Sequence, residues 1–214
     1  WHFDDEPNIL LNPSLHLTDL NIKSIGDTLT SRSTPSNHEL YRPLSCLSLA
    51  LNWYFGQDDP TGYHIVNITI HIITAFFLFL VLLQIMRLVD TAEKDETKKY
   101  FIALLAATLW ASAPIQTQAV TYIVQRMASL AAMFTILAIY SYLKARTEKQ
   151  YIRWTVLTLL FFLAGIGSKE NAAILPVSLL LLEFSFFNFS KSQVTQLIRE
   201  GYNNARKQLK GFIQ

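Results

Sequence analysis

Charged side chains are scarce in this sequence: Asp, Glu, Lys and Arg make up 16% of its 214 residues, where an ordinary soluble domain carries about 25%. The scarcity argues against a disordered chain. With a net charge of only +2 and no basic cluster able to follow a phosphate backbone, a nucleic-acid binder is excluded as well. Seven glycines rule out a collagen-like repeat. One cysteine, Cys46, rules out an internal disulfide and by itself makes no metal site. No signal-peptide pattern opens the chain; it begins at Trp1 in an Asp-rich polar stretch and reads as a piece of a longer or processed protein.

What the sequence has instead is long uncharged apolar runs. Between Pro60 and Met86 there is no Asp, Glu, Lys or Arg, and about 20 such residues suffice to span a bilayer. Continuous apolar character without alternation fits spanning helices and not strands. The expected fold is an all-α polytopic membrane protein of about five transmembrane helices, at 64–88, 100–113, 120–143, 152–167 and 171–189. An extended polar loop, residues 1–63, precedes them. Within it Pro43–Phe55 is expected as an amphipathic interfacial helix, with Pro43 in its first turn and Trp53 and Tyr54 at headgroup level. Residues 190–214 form a basic tail or linker.

Charge asymmetry gives an orientation. Residues 1–63 hold Lys23, Arg32 and Arg42 against eight acids, whereas 144–153 hold Lys144, Arg146, Lys149 and Arg153 against Glu148. The tail holds Lys191, Arg199, Arg206, Lys207 and Lys210 against Glu200. Lys and Arg mark the cytoplasmic side. Residues 1–63, the Gln116-Thr117-Gln118 break and the Ser168-Lys169-Glu170 break therefore fall together on the outer, periplasmic or lumenal, side.

That side collects the unusual residues. Asp4, Asp5 and Glu6 open the loop, and Arg42 precedes the interfacial helix. His64, Asn67, His71 and Thr74 share one face of the first span's outer half. Gln118, Tyr122, Arg126 and Ser129 form a second stripe, and Lys169 and Glu170 sit at the third break. Taken singly, each has an ordinary explanation: solvated acids, bundle histidines, side chains satisfying backbone ends, a lysine anchored at the interface. Arg126, inside a span, is the costliest to place. Together they suit transfer of a group from a lipid-linked phosphate to an outer acceptor, a carboxylate deprotonating the acceptor and Arg and Lys gripping the phosphate. A transporter lined by the stripes and a non-catalytic membrane partner stay open beside this reading.

Four strings carry a resemblance: Phe3-Asp4-Asp5-Glu6-Pro7-Asn8-Ile9 with Asn12-Pro13; Tyr41-Arg42-Pro43-Leu44 leading through Asn52-Trp53-Tyr54 to Gly62-Tyr63-His64 and Asn67; Pro114-Ile115-Gln116-Thr117-Gln118 with Arg126; and Ser168-Lys169-Glu170-Asn171. In this order they resemble the C-type polyprenyl-phosphate-dependent membrane glycosyltransferases, above all the transmembrane and tetratricopeptide-repeat O-mannosyltransferases and their bacterial relatives. The resemblance covers residues 3 to about 180 and suggests an internal fragment of such a protein, in the bacterial inner membrane or the endoplasmic reticulum. It implies transfer of a mannose-like sugar from a polyprenyl-phosphate donor to a protein Ser or Thr. It implies catalytic roles for Asp4 and Asp5, donor-phosphate roles for Arg42, Arg126, Lys169 and Glu170, and a cavity lined by His64, Asn67, His71, Gln116 and Gln118. These residues fix no cofactor; Asp4 with Asp5 could hold a divalent metal, though two adjacent acids are too few ligands for a committed site. The sequence departs from the family in having Ala113 before Pro114, where the family usually has His, and Gln118, where it often has an acid.

Overall fold

A computed structural model describes Trp1 and residues 4–30, 42–89 and 95–187. The tail 190–214, and Phe3 and Tyr41 of the four strings, lie outside the described residues. Among those described every element is helical. The described residues up to Leu175 fall in one compact unit and those from Pro176 in a second.

Residues 4–30 are more ordered than a polar loop. A π turn, Glu6–Leu10, and a 3₁₀ turn, Pro13–Leu15, are followed by α1, Ile22–Thr30, a helix that the sequence pattern does not single out. Asn21 starts α1 by accepting the Ser24 N–H on its Oδ1 at 2.7 Å. The helix expected at Pro43–Phe55 is α2, Pro43–Gly56, with Pro43 in its first turn. Its Ser45, Cys46, Leu49 and Ala50 are buried. Cys46 and Leu49 pack in a core with Ile9, Leu15, Tyr63, Ile123 and Met127, which fastens the opening turns to the bundle.

Helix α3, Pro60–Val89, starts where Asp59 accepts the Thr61 N–H at 3.0 Å; that bond holds the Asp59 carboxyl below its ordinary range. Its 30 residues reach about 45 Å, more than the roughly 30 Å of a bilayer's hydrocarbon core. Then follow α4 (Glu96–Ala111), α5 (Thr117–Thr121), α6 (Arg126–Thr147) and α7 (Tyr151–Ser168). Helices α3 and α6 run parallel. Arg126 meets Asn67 near their starts, Phe77 meets Tyr140 edge-on midway, and Gln84 donates to Thr147 near their ends. Helix α4 runs back along α3, with Arg87–Glu96 at one end and His71–Ala111 at the other. Helix α7 runs back along α6 through Tyr140–Trp154 and Phe134–Phe161. Gly165 lets α7 close tightly: a Cβ there would lie 3.0 Å from the Ala172 Cβ. The bundle thus has one end holding the starts of α3 and α6 with residues 112–125 and 168–171, and a far end holding Arg87, Glu96 and 144–153.

Three helices, α3, α6 and α7, are long and apolar enough to cross a membrane, and a fourth crossing results if α4 and Pro114–Thr121, bent by 53°, count as one. The expected five are not all found among the described residues. The last, 171–189, opens as a 3₁₀ turn, Glu170–Ile174, and its helix α8 covers only Leu175–Phe186, about 18 Å. The third does not run from 120. The chain turns extended at Tyr122 and becomes helical again only at Arg126. Gln118 and Tyr122 therefore do not continue the Arg126–Ser129 face, and the expected second stripe is not formed. Side chains from elsewhere satisfy the broken backbone, which is what permits a break there.

Candidate functional site

The break at 112–125 organises the site. Non-helical backbone at membrane depth is tolerated only where protein or water satisfies its polar groups. Asn67, fully buried, donates from Nδ2 to the carbonyls of Val120 and Tyr122 at 3.4 and 3.3 Å. His64 Nδ1 lies 3.4 Å from the Val120 carbonyl and His71 Nε2 3.0 Å from that of Ala111; each contact needs the ring proton on that nitrogen. Ser129 donates to the Ala119 carbonyl at 3.3 Å. The expected stripe on α3 is real, and its principal work is to cap carbonyls of the break.

The acid pair separates. Asp5 is fully buried and its Oδ1 accepts the Val124 N–H at 2.8 Å, tying the opening turn to the break. Asp4 is exposed; its carbonyl accepts from Asn8 at 2.7 Å, and its carboxylate makes no hydrogen bond or ion pair among the described residues. Among the described residues no three His, Cys, Asp or Glu come together. Asp5 Oδ1 accepts a backbone N–H, and no step below passes through a metal.

The four residues expected around the donor phosphate divide into two sets. Arg42, Lys169 and Glu170 stand together. Arg42 forms a two-pronged pair with Glu170, Nη2 to Oε1 at 2.9 Å and Nε to Oε2 at 3.2 Å, and its Nη1 reaches the Met127 sulfur at 3.3 Å. Burial pushes the Glu170 carboxyl up, but its own backbone N–H, Arg42 and Lys169 outweigh this and leave it below its ordinary range. The Lys169 ammonium makes no hydrogen bond or ion pair among the described residues, so two cations share one carboxylate. Ser45 Oγ donates to the Ser168 carbonyl at 2.8 Å, which locks the start of α2 beside this cluster.

Arg126 is different. It is fully buried. Its Nε donates to Asn67 Oδ1 at 2.8 Å, Nη1 to the Ser48 carbonyl at 3.1 Å and to Asn52 Oδ1, and Nη2 to the Tyr63 carbonyl at 2.9 Å. Its guanidinium also lies 5.4 Å from the Tyr63 ring. The guanidinium's N–H donors, five in all, are thus largely engaged by neutral protein acceptors from α2 and α3. In this geometry Arg126 braces three helices.

Beside these groups a groove enters the bundle. A cavity of about 270 Å³ is lined by His71, Thr74, Trp110, Gln116, Ala128 and Ser129. A second, about 390 Å³, shares Thr74, Trp110, Ala128 and Ala132 with it and continues past Leu78 and Ile136, with Asn171 at its wall. Of the expected lining residues, His71 and Gln116 face the groove, His64 and Asn67 are turned to the break, and Gln118 is exposed. Trp110, stacked on His71 with centroids 5.4 Å apart, and Asn52 join the site without being expected there. Asn52 and Asn171 each lie within one of the four family-like strings; nothing in the sequence singles out Trp110, which acts only because α4 lies against α3.

Length and composition of the helices make this an integral membrane protein of helices, with a buried arginine brace and a charged cluster at one end of an apolar groove. The chain is close in sequence to protein O-mannosyl-transferases. It is similar to "Protein O-mannosyl-transferase TMTC3" of Mus musculus, 32% identical over 168 residues that are 78% of this chain and 17% of that protein. It is similar to human "Protein O-mannosyl-transferase TMTC4", 33% identical over 68% of this chain and 20% of that one. It is similar also to "Protein O-mannosyl-transferase F38B6.6" of Caenorhabditis elegans, 25% identical over 92% of this chain and 27% of that one. The chain thus spans 17% to 27% of the length of these curated relatives. No protein-family profile matches it, and no solved structure does.

Proposed function

We propose that this chain is the site-bearing part of a membrane glycosyltransferase that moves mannose from a polyprenyl-phosphate donor to a Ser or Thr hydroxyl of a protein, on the outer face of the membrane. The observation that carries the reading is the meeting, at one end of the bundle, of Arg42, Lys169 and Glu170 with an apolar groove that has Asn171 at its wall. The groove suits an isoprenoid chain, and two cations sharing one carboxylate suit a phosphate at its mouth.

In this mechanism the acceptor oxygen attacks the anomeric carbon as the bond from that carbon to the phosphate oxygen breaks. Asp4, exposed and without a side-chain partner among the described residues, takes the acceptor's proton. The phosphate leaves with the electron pair, and Lys169 and Arg42 stabilise its growing charge, Glu170 yielding part of its hold on Arg42. Asp5 positions Asp4 through its bond to Val124, and Arg126 positions Arg42 indirectly by fixing α2. The names of the relatives support a sugar-transfer role with a protein acceptor; the lipid donor and the side of the membrane rest on the groove and on the charge asymmetry.

The test uses the complete protein that contains this chain, expressed in membranes and supplied with polyprenyl-phosphate mannose. The expected result is transfer to protein by the wild type and a loss of about 100-fold or more in Asp4→Asn, the scale of a general base. Full activity in Asp4→Asn would remove the assigned base. No transfer by a folded wild type with any lipid donor would favour a non-catalytic membrane partner, to which the Ala113 and Gln118 departures would then point.

A further inference from the structure

The far end of the bundle holds a second site that the transfer reading does not use. Between α3 and α6 a cavity of about 290 Å³ is lined by Leu80, Leu83, Gln84, Arg87, Tyr140 and Lys144, with Leu88 and Thr147 at its edge. Its composition is graded. The leucines and the Tyr140 ring make an apolar floor toward the middle of the helices, and Arg87 and Lys144 stand at the rim, one on each helix. The two cations line the same cavity from neighbouring helices. Each is answered by one acid: Arg87 by Glu96 at 2.7 Å, with the Tyr100 hydroxyl at 3.1 Å, and Lys144 by Glu148 at 2.7 Å, while its ammonium sits 5.7 Å from the Tyr140 ring. Neither acid lines the cavity. Both belong to part-exposed pairs, which contribute little and are readily exchanged. Inside the cavity Gln84 and Thr147 bond each other at 3.2 Å, and the buried Gln84 Oε1 has no hydrogen-bond partner among the described residues.

Two cations from neighbouring spans over an apolar floor match an anion that carries its own hydrocarbon. We propose that this cleft binds the phosphate headgroup of an anionic membrane phospholipid from the leaflet at the far end, its acyl chain lying over Leu80 and Leu83. Basic pockets between spanning helices at the membrane surface recognise such headgroups. The phosphate bridges Arg87 and Lys144. It thereby clamps the ends of α3 and α6, which run parallel and lack a connecting turn of their own there. A hydroxyl on the headgroup would supply the donor that Gln84 Oε1 lacks. The site is some 30 Å along α3 from the Asp5 end and is independent of sugar transfer.

The experiment is a thermal unfolding titration of the chain, delipidated in a neutral detergent, with phosphatidylglycerol, phosphatidylcholine or inorganic phosphate. Retained lipid is identified in parallel by native mass spectrometry. Expected is a rise in unfolding temperature with phosphatidylglycerol only, and one such lipid retained per chain. The double variant Arg87→Gln, Lys144→Gln should need about 30-fold more lipid for the same shift, the sum of two surface cations. Arg153→Gln, an exposed cation at the same end that does not line the cleft, should respond like the wild type. Lys144→Gln alone, which leaves the Arg87–Glu96–Tyr100 contacts in place, serves if the double variant does not fold and should need about 5-fold more. An unchanged response in the Lys144 variant would overturn the proposal, as would an equal loss in Arg153→Gln. An equal response to phosphatidylcholine would overturn it too, and a response to inorganic phosphate as strong as to phosphatidylglycerol would replace the lipid by a free anion.

Discussion

Arg126→Met asks the bundle to do without its brace. The substitution removes a cation and leaves four acceptors. Two of them, the carbonyls of Ser48 and Tyr63, lie within α2 and α3 and keep their helical bonds, so their loss is slight. Of the other two, Asn67 Oδ1 is left in the interior and Asn52 Oδ1 at a half-buried position, and a buried polar atom without a partner costs about 1–3 kcal/mol. The ring contact to Tyr63 adds roughly 1 kcal/mol. Removal of the desolvated charge offsets part of this, and the net loss is about 3–5 kcal/mol, the usual cost of breaking one side of a buried charged network. The single cysteine reports it locally. Cys46 is fully buried on α2, the helix that Arg126 holds through Ser48 and Asn52. If α2 opens to expose the thiol, its labelling by a water-soluble maleimide should quicken by about 100-fold or more in Arg126→Met. Arg126→Lys keeps the charge without the planar fork and should fall between. A rise of less than about threefold in Arg126→Met, under roughly 0.7 kcal/mol, would refute the brace.

Three further outcomes follow from single contacts. Asp5→Ala leaves the Val124 N–H without its acceptor and should lower stability by about 1–3 kcal/mol, whereas Asp5→Asn, which retains an oxygen, should lose little; detergent-phase thermal melts of the pair decide it. Gln57 has φ 49°, in the left-handed region, so Gln57→Gly should raise stability by about 1 kcal/mol in the same melts. Because the folded-state pKa of Glu170 is depressed, its pair with Arg42 stabilises the chain above the ordinary carboxylate range of roughly pH 4 and is lost as pH falls through the folded value. Wild type should therefore lose part of its stability below about pH 4 that Glu170→Gln does not, and identical acid limbs would show the pair to be idle.

The charge-free run from Pro60 to Met86 and the turn formers around it make α3 legible in the sequence, because a helix of that length needs only local apolar character. The same holds for α2, where Pro43 sits at a first turn, and for α7, an apolar run between two polar breaks. The grouping of Arg42, Lys169 and Glu170 at one end is also readable, since the alternation of spans sends 1–63, 112–125 and 168–171 to the same side. The break at Tyr122 is not. Residues 120–143 are apolar enough to continue as a helix; what stops them is Asn67, His64 and Asp5, from segments more than fifty residues away, offering the backbone partners that make an interruption tolerable. The same distance effect divides the acid pair, since Asp4 and Asp5 are identical in type and adjacent in sequence, and only the nearness of the Val124 N–H decides which is buried. It also decides Arg126. A lone arginine in a span reads equally as a ligand for phosphate or as a strut, and the choice is made by four neutral acceptors on α2 and α3. Local chemistry determined the long apolar helices and at which end their charges lie; packing determined where those helices break and which of their charges are engaged inside the protein.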